Sequence, residues 1–122
     1  IDKDLYSFLS VSDILVTDYS SVYFDYLLTD KPMIFINTDL PLYRESRGLL
    51  LEPYDFWTPG FKVDNQDDFT KAVLSSIENP GEFSYKRNQI KKIIHEVADG
   101  NSCRRIWEDM IEPILQSNKR AI

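Results

Sequence analysis

The chain holds a single cysteine, Cys103, and a single histidine, His95, in 122 residues. One cysteine excludes a disulfide framework and a cysteine-based zinc site. It is compatible with a reducing cytosol. No apolar run approaches the ~18 residues that a membrane helix needs, and no signal-peptide pattern opens the chain. Positive charge is scarce as well: 14 Lys+Arg stand against 20 Asp+Glu, a net charge of −6. Residues 1–80 hold six Lys/Arg and fourteen Asp/Glu, while residues 81–122 hold eight and six. An acidic body argues against broad electrostatic binding to nucleic acid. The mildly basic tail would suit an anionic lipid surface, although a solvated helix face is the plainer reading of such a run. There is no internal repeat and no low-complexity tract.

What is present is the material of a folded domain. Hydrophobic residues make up 43% of the chain, an ordinary share for a globule. The length allows one domain of the usual ~100–200 residues and no more. The chain starts at Ile1 rather than Met, and it reads as part of something longer.

Leu5, Phe8 and Leu9 have helical spacing and read as the end of a helix. Asp13 to Thr17 is a short apolar, β-branched run, typical of a strand buried on both faces of a parallel sheet. The small polar residues Asp18-Tyr19-Ser20-Ser21 suit a turn and a helix cap. Val22 to Leu28 continues as an apolar helix, which Asp30-Lys31-Pro32 breaks. Met33 to Ile36 is a second buried strand, so these segments form a tight βαβ unit with a right-handed connection. Asn37 to Gly48 reads as a loop, as does Phe56 to Gly60, and Phe61 to Val63 as a third strand.

Asn65 caps a helix whose stripe is Phe69, Ala72, Val73 and Ile77. Ile90, Ile93, Ile94 and Val97 form another stripe, ended at Asp99-Gly100. The last helix is expected to bury Cys103, Ile106, Trp107, Met110, Ile111 and Ile114. The fold class is α/β, a Rossmann-like partial parallel sheet with flanking helices. Residues 1–122 are expected to form one incomplete domain, with two C-terminal amphipathic helices (residues 83–116) packed on it.

In open α/β sheets ligands bind beyond the carboxyl ends of the strands, where Asp18–Ser21 lies. A helix start offers free N–H groups and a favourable dipole to an anion, and two hydroxyls add donors. A phosphate or pyrophosphate fits that description, although a serine at a helix start is first of all a cap. Asp25 follows Ser21 by one turn on roughly the same face. It suits ribose hydroxyls, and equally a solvated helix acid.

The residues Ser12 to Tyr26, with Lys31-Pro32, Asp39, Tyr43 and Arg47-Gly48, resemble the CDP-glycerol:poly(glycerophosphate) glycerophosphotransferases, which build teichoic-type wall and capsule polymers. Pro59-Gly60 and Asp99-Gly100-Asn101-Ser102 add to the likeness, which covers roughly residues 5–110. The resemblance implies a GT-B enzyme with two Rossmann-like domains, of which this chain would be the C-terminal half of the donor-binding one. It implies that Thr17, Asp18, Ser20 and Ser21 hold the donor diphosphate, that Asp25 grips the ribose, and that Asp39 and Arg47 lie near donor or acceptor phosphates. Arg47 is open to another reading, a loop salt bridge to Glu45 or Glu52, and Asp39 to that of a turn cap.

The family's acid/base histidines lie upstream of this region, so no catalytic residue is expected within it. His95 reads as a surface or helix-packing residue. No cofactor is expected beyond the substrate CDP-glycerol, and no metal. Asp67-Asp68 reads as part of a cap. The implied partners are the nucleotide-diphosphate donor and a polymer or lipid-linked acceptor, without nucleic acid. The implied location is the cytoplasmic face of the bacterial membrane, peripherally attached. A GT-B glycosyltransferase using a nucleotide sugar would serve the same Ser20/Asp25 geometry. A receiver-like signalling domain matches the length and Ile14–Asp18. It would need an acidic pair on an earlier strand, for which the chain has no room.

Overall fold

The computed structural model describes residues 4–49 and 51–120. Asp4 accepts the N–H of Tyr6 and caps helix α1, Leu5–Val11, so the first segment is a helix with its own start rather than the end of a longer one. Strand β1, Leu15–Thr17, leads through the Asp18–Ser21 turn into α2, Val22–Tyr26, which tightens into a 3₁₀ turn at Leu27–Thr29. Strand β2 is Met33–Ile36, and β3 is Phe61–Val63.

The three strands form a parallel sheet in the order β1-β2-β3. Leu15 pairs with Met33 and Thr17 with Phe35; Ile34 pairs with Phe61 and Ile36 with Val63. The strand period of two divides β2 between two cores. Met33 and Phe35 join Leu9, Tyr23, Tyr26, Leu27 and Ile90 on one face. Ile34 joins Val63 and Ala72 on the other. The continuous apolar run Met33–Ile36 is therefore the signature of a sheet covered on both sides, as expected.

Helix α5, Gln66–Glu78, covers the second face. Asn65 caps it by accepting the N–H of Asp68, and two acids occupy its first turn. Helix α6, Ser84–Ile94, returns to the first face through Arg87 and Ile90. Arg87 is only 2% exposed. Its Nε donates to Asp30 Oδ1 at 2.9 Å, and its Nη2 donates to the carbonyls of Asp30 and Pro80. Asp30 has a positive φ of 51°, a conformation that a non-glycine residue rarely adopts without local support. Beside it Lys31 Nζ donates to the carbonyl of Ser12 at 2.7 Å. The Asp30-Lys31-Pro32 break is thus a junction that ties α1, α2 and α6 to the start of β2.

Four further expectations are corrected. Asn37–Gly48 is not all loop: helix α3 spans Leu40–Ser46, with Asp39 at its N-cap position and proline in its first turn, where the missing N–H costs nothing. Phe56–Gly60 is partly helical, since a short α4 spans Tyr54–Trp57. The stripe on α6 buries Ile90 but leaves Ile93 and Ile94 exposed in its last turn, and Val97 lies beyond the helix, which ends at Ile94 and not at Asp99-Gly100.

The last correction concerns the C-terminal helix. It runs as α7, Ser102–Ile106, a π-helical segment, Trp107–Ile111, and α8, Glu112–Arg120. Pro113 has no N–H for the Asp109 carbonyl, which accounts for the widened turns before it. Cys103, Ile106, Trp107, Met110, Ile111 and Ile114 are exposed rather than buried, Trp107 by 52%. The main contacts of this helix among the described residues are between its own successive turns. Its amphipathic pattern is real, but the apolar face stays exposed among the described residues.

Candidate functional site

The residues singled out from the sequence gather where β1 and β2 end. After Thr17 the Asp18 carboxylate accepts the N–H of Ser20 at 2.9 Å, an Asx turn that fixes the bend into α2. Ser21 occupies the N-cap position with a helical backbone (φ −65°, ψ −7°), and its side chain makes no capping bond. A capping hydroxyl ordinarily needs an extended backbone at this position. The Ser21 hydroxyl therefore stays exposed beside the first N–H groups of α2, which have no acceptor within the helix.

Tyr19 reaches from the same turn to the segment after β2. Its phenol donates to Asp39 Oδ1 at 2.6 Å, and its ring stacks on Tyr43 of α3 with centroids 4.3 Å apart. Burial, and then the hydrogen bond to Asp39, push the Tyr19 phenol above the ordinary tyrosine range. Tyr54 of α4 donates to Asn37 Oδ1 at 2.5 Å. Burial raises the Tyr54 and Tyr23 phenols to about 12 each.

Two hollows adjoin this framework. The first, of about 160 Å³, is lined by Tyr19, Ser21, Tyr23, Tyr43, Tyr54 and Trp57, with Gly48 at its edge. The second is more open, about 530 Å³, and is bounded by Thr17, Asp18, Thr38 and Asp39. Thr17 is buried; Asp18 and Asp39 are exposed. So the structure brings Thr17, Asp18 and Asp39 to one hollow and Ser21 to the other, with Ser20 exposed in the turn that joins them.

Asp25 lines neither hollow. Its carboxylate accepts the phenol of Tyr6 at 3.1 Å, toward α1. Arg47 is exposed at the C-terminal end of α3. The salt bridge to Glu52 belongs instead to Arg44, at 3.3 Å. Asp39 makes no side-chain cap and is held by Tyr19. His95 closes α6, where its Nε2–H donates to the carbonyl of Phe24 at 2.7 Å. It packs α6 onto α2, as expected of a helix-packing histidine.

The aromatic hollow escaped the reading of the sequence. Tyr19 in the turn and Tyr23 in α2, four residues apart, are a legible signal. Tyr43, Tyr54 and Trp57 come from segments whose helical turns had no clear periodicity. Chemically, the arrangement offers hydroxyls and helix-start N–H groups to an anion beside an aromatic wall. Among the described residues of this site no hydroxyl is hydrogen-bonded to a histidine.

Comparison with known proteins identifies the family. The model of the family described as CDP-Glycerol:Poly(glycerophosphate) glycerophosphotransferase matches residues 1–112. The teichoic acid poly(ribitol-phosphate) polymerase of Bacillus spizizenii is 32% identical over 114 residues, 91% of this chain and 17% of the relative. The teichoic acid glycerol-phosphate primase of Bacillus subtilis is 32% identical over 103 residues, 84% of this chain and 25% of the relative. The teichoic acid glycerol-phosphate transferase of Staphylococcus aureus is 32% identical over 111 residues, 90% of this chain and 28% of the relative. The chain thus spans between 17% and 28% of the length of these three relatives.

Proposed function

Since the chain belongs to the CDP-glycerol:poly(glycerophosphate) glycerophosphotransferase family, we propose that it is the donor-binding part of a transferase that moves glycerol phosphate from CDP-glycerol to a growing teichoic-type polymer. The observation that carries this reading is the Asp18–Ser21 turn, with its uncommitted Ser21 hydroxyl at the carboxyl end of a parallel strand. In this reading Ser20, Ser21 and the first N–H groups of α2 hold the donor diphosphate. Asp18 serves them by fixing the turn, because a carboxylate aimed at a diphosphate would repel it, and Thr17 lies behind it. Asp25 takes the ribose hydroxyls, with Tyr6 as its positioning partner. Arg47 and Asp39 lie on the side of α3, toward the transferred group and the acceptor.

In the reaction a terminal polymer hydroxyl attacks the phosphorus that carries glycerol. The P–O bond to CMP breaks, and CMP leaves. The residues here contribute positioning and stabilisation of charge on the phosphate oxygens. The proton of the attacking hydroxyl is taken by a group outside this segment, in a GT-B partner domain. No helix among the described residues is long and apolar enough to cross a membrane. The reading places the enzyme peripherally at the cytoplasmic face, where its lipid-linked acceptor is made.

The test is Ser20→Ala with Ser21→Ala in the full protein that carries this segment. Turnover of CDP-glycerol should fall at least about tenfold, since hydrogen bonds to a charged group contribute ~1.5–3 kcal/mol each. Unchanged kinetics would refute the site. Turnover of a UDP- or CDP-sugar in place of CDP-glycerol would assign the same fold to a glycosyltransferase.

A further inference from the structure

Of the side-chain hydrogen bonds that Asp18–Ser21 makes among the described residues, one leaves the turn. The Tyr19 phenol donates to Asp39 Oδ1 at 2.6 Å, whereas Asp18 accepts the N–H of Ser20 within the turn. Asp39 stands at the N-cap position of α3, where a carboxylate ordinarily accepts a helix N–H. Here its side chain makes no capping bond. The acceptor that would serve α3 serves the serine turn instead. The Tyr19 ring also lies on Tyr43, with centroids 4.3 Å apart. The Tyr43 carbonyl in turn accepts the N–H groups of Arg47 and Gly48 at 2.9 and 3.1 Å. One side chain thus joins the serine turn to the start of α3 and to the residue on which α3 closes.

We infer that Tyr19 is a positioning residue for the donor: through Asp39 and Tyr43 it fixes the Ser20-Ser21 turn against α3. The inference rests on the proposed donor site. The turn has little else to hold it. Ser21 makes no capping bond, and α2 runs for five residues before it tightens. Ser20 and Ser21 are both exposed. A diphosphate on the serine hydroxyls is held only as firmly as the turn that carries them, and a misplacement of ~1 Å can cost ~100-fold in rate. Burial and the bond to Asp39 hold the phenol above the ordinary tyrosine range, so it remains a donor at neutral pH.

The chemistry separates this role from two others. Asp39 is exposed, and a carboxylate that met the acceptor directly would need its charge. A carboxylate that serves Tyr19 needs only an acceptor oxygen, which asparagine also has. A Tyr19 ring that merely packed on Tyr43 would need no hydroxyl at all.

The experiment measures steady-state kinetics of the full protein that carries this segment, with CDP-glycerol and a polymer acceptor. The variants are Tyr19→Phe, Asp39→Ala, Asp39→Asn and the double variant Tyr19→Phe, Asp39→Ala. Tyr19→Phe keeps the ring and its stack and removes the hydroxyl. It should raise the KM for CDP-glycerol by roughly three- to tenfold, the worth of one hydrogen bond, and leave the KM for the acceptor unchanged. Asp39→Ala should do the same, and Asp39→Asn should recover most of that loss. The double variant should be no worse than either single one, because both remove the same bond. An unchanged Tyr19→Phe would overturn the inference. So would additive losses, a raised KM for the acceptor, or a loss in Asp39→Asn as large as in Asp39→Ala. If Tyr19→Phe fails to fold, the two Asp39 variants still decide, since that side chain is exposed. The Ser20→Ala, Ser21→Ala pair separates the two readings. If it leaves CDP-glycerol kinetics intact, the donor site itself is wrong, whereas a lowered turnover there with an indifferent Tyr19→Phe removes only the positioning role.

Discussion

Gly60 stands where the chain enters β3, and its backbone lies against the carbonyl of Met33 on β2. A Cβ at this position would overlap that carbonyl and press on the ring of Phe35. The obstacle is backbone in the middle of the sheet, so it has no rotamer by which to escape. Gly60→Ala should lower the unfolding free energy by about 1–3 kcal/mol, as overpacking does, and denaturant unfolding would measure it. A neutral result would mean that β2 and β3 do not approach as described. The phenols make a second residue-scale case. Tyr23 and Tyr54 are raised to about 12 by burial, and Tyr19 is raised as well. In the unfolded chain each loses its proton near the usual tyrosine value of ~10. Between those values the folded state binds more protons than the unfolded state, so stability falls as pH rises. It should be fully present below about pH 10 and decline through about pH 12, with tyrosinate absorbance appearing together with loss of structure. A full yield of tyrosinate from an intact fold near pH 10 would contradict the burial.

At the scale of elements, the Asp30 junction shows how much one buried cation organises. Arg87 is on α6, yet its bonds go to the corner between α2 and β2 and to the carbonyl of Pro80. Removing it leaves two carbonyls short of donors and α6 without its anchor. Asp30 itself is about half exposed and can return to water, so the loss should be smaller than for a fully buried pair. Arg87→Leu should destabilise by about 2–3 kcal/mol, with hydrogen exchange in α6 accelerating more than in α5. Uniform acceleration in both helices would argue against a local anchor. Arg87 could not be read from the sequence, because a lysine- and arginine-rich helix face is usually solvated. The strands could be read, since Leu15–Thr17 and Met33–Ile36 are β-branched and apolar on both faces. Helix α3 could not, because its first turn, Leu40-Pro41-Leu42, places a proline where a loop is the simpler expectation. The aromatic hollow was hidden for the same reason: three of its rings come from α3 and α4, which have seven and four residues and no periodicity to report.

At the scale of the whole chain, the C-terminal helix separates pattern from packing. The apolar spacing from Ile106 to Ile114 is as regular as that of any buried helix, and the sequence predicts its burial. The prediction fails because periodicity reports only that a helix has an apolar face. What lies against the face depends on other elements, and the sheet's two faces are already occupied by α1, α2 and α6 on one side and α5 on the other. The energetic consequence is direct. Ile90 is 1% exposed in the first core, so truncating it to alanine removes buried surface and opens a cavity. Ile114 is exposed by more than half, so its truncation removes surface that water already covers. In the 122-residue chain, Ile90→Ala should cost about 2–5 kcal/mol, whereas Ile114→Ala should stay within about 0.5 kcal/mol. Denaturant midpoints of the two variants, taken at equal slope, compare them directly. A loss at Ile114 that matches the loss at Ile90 would mean that the last helix packs on the sheet after all, and that the regular stripe was a true report of the core.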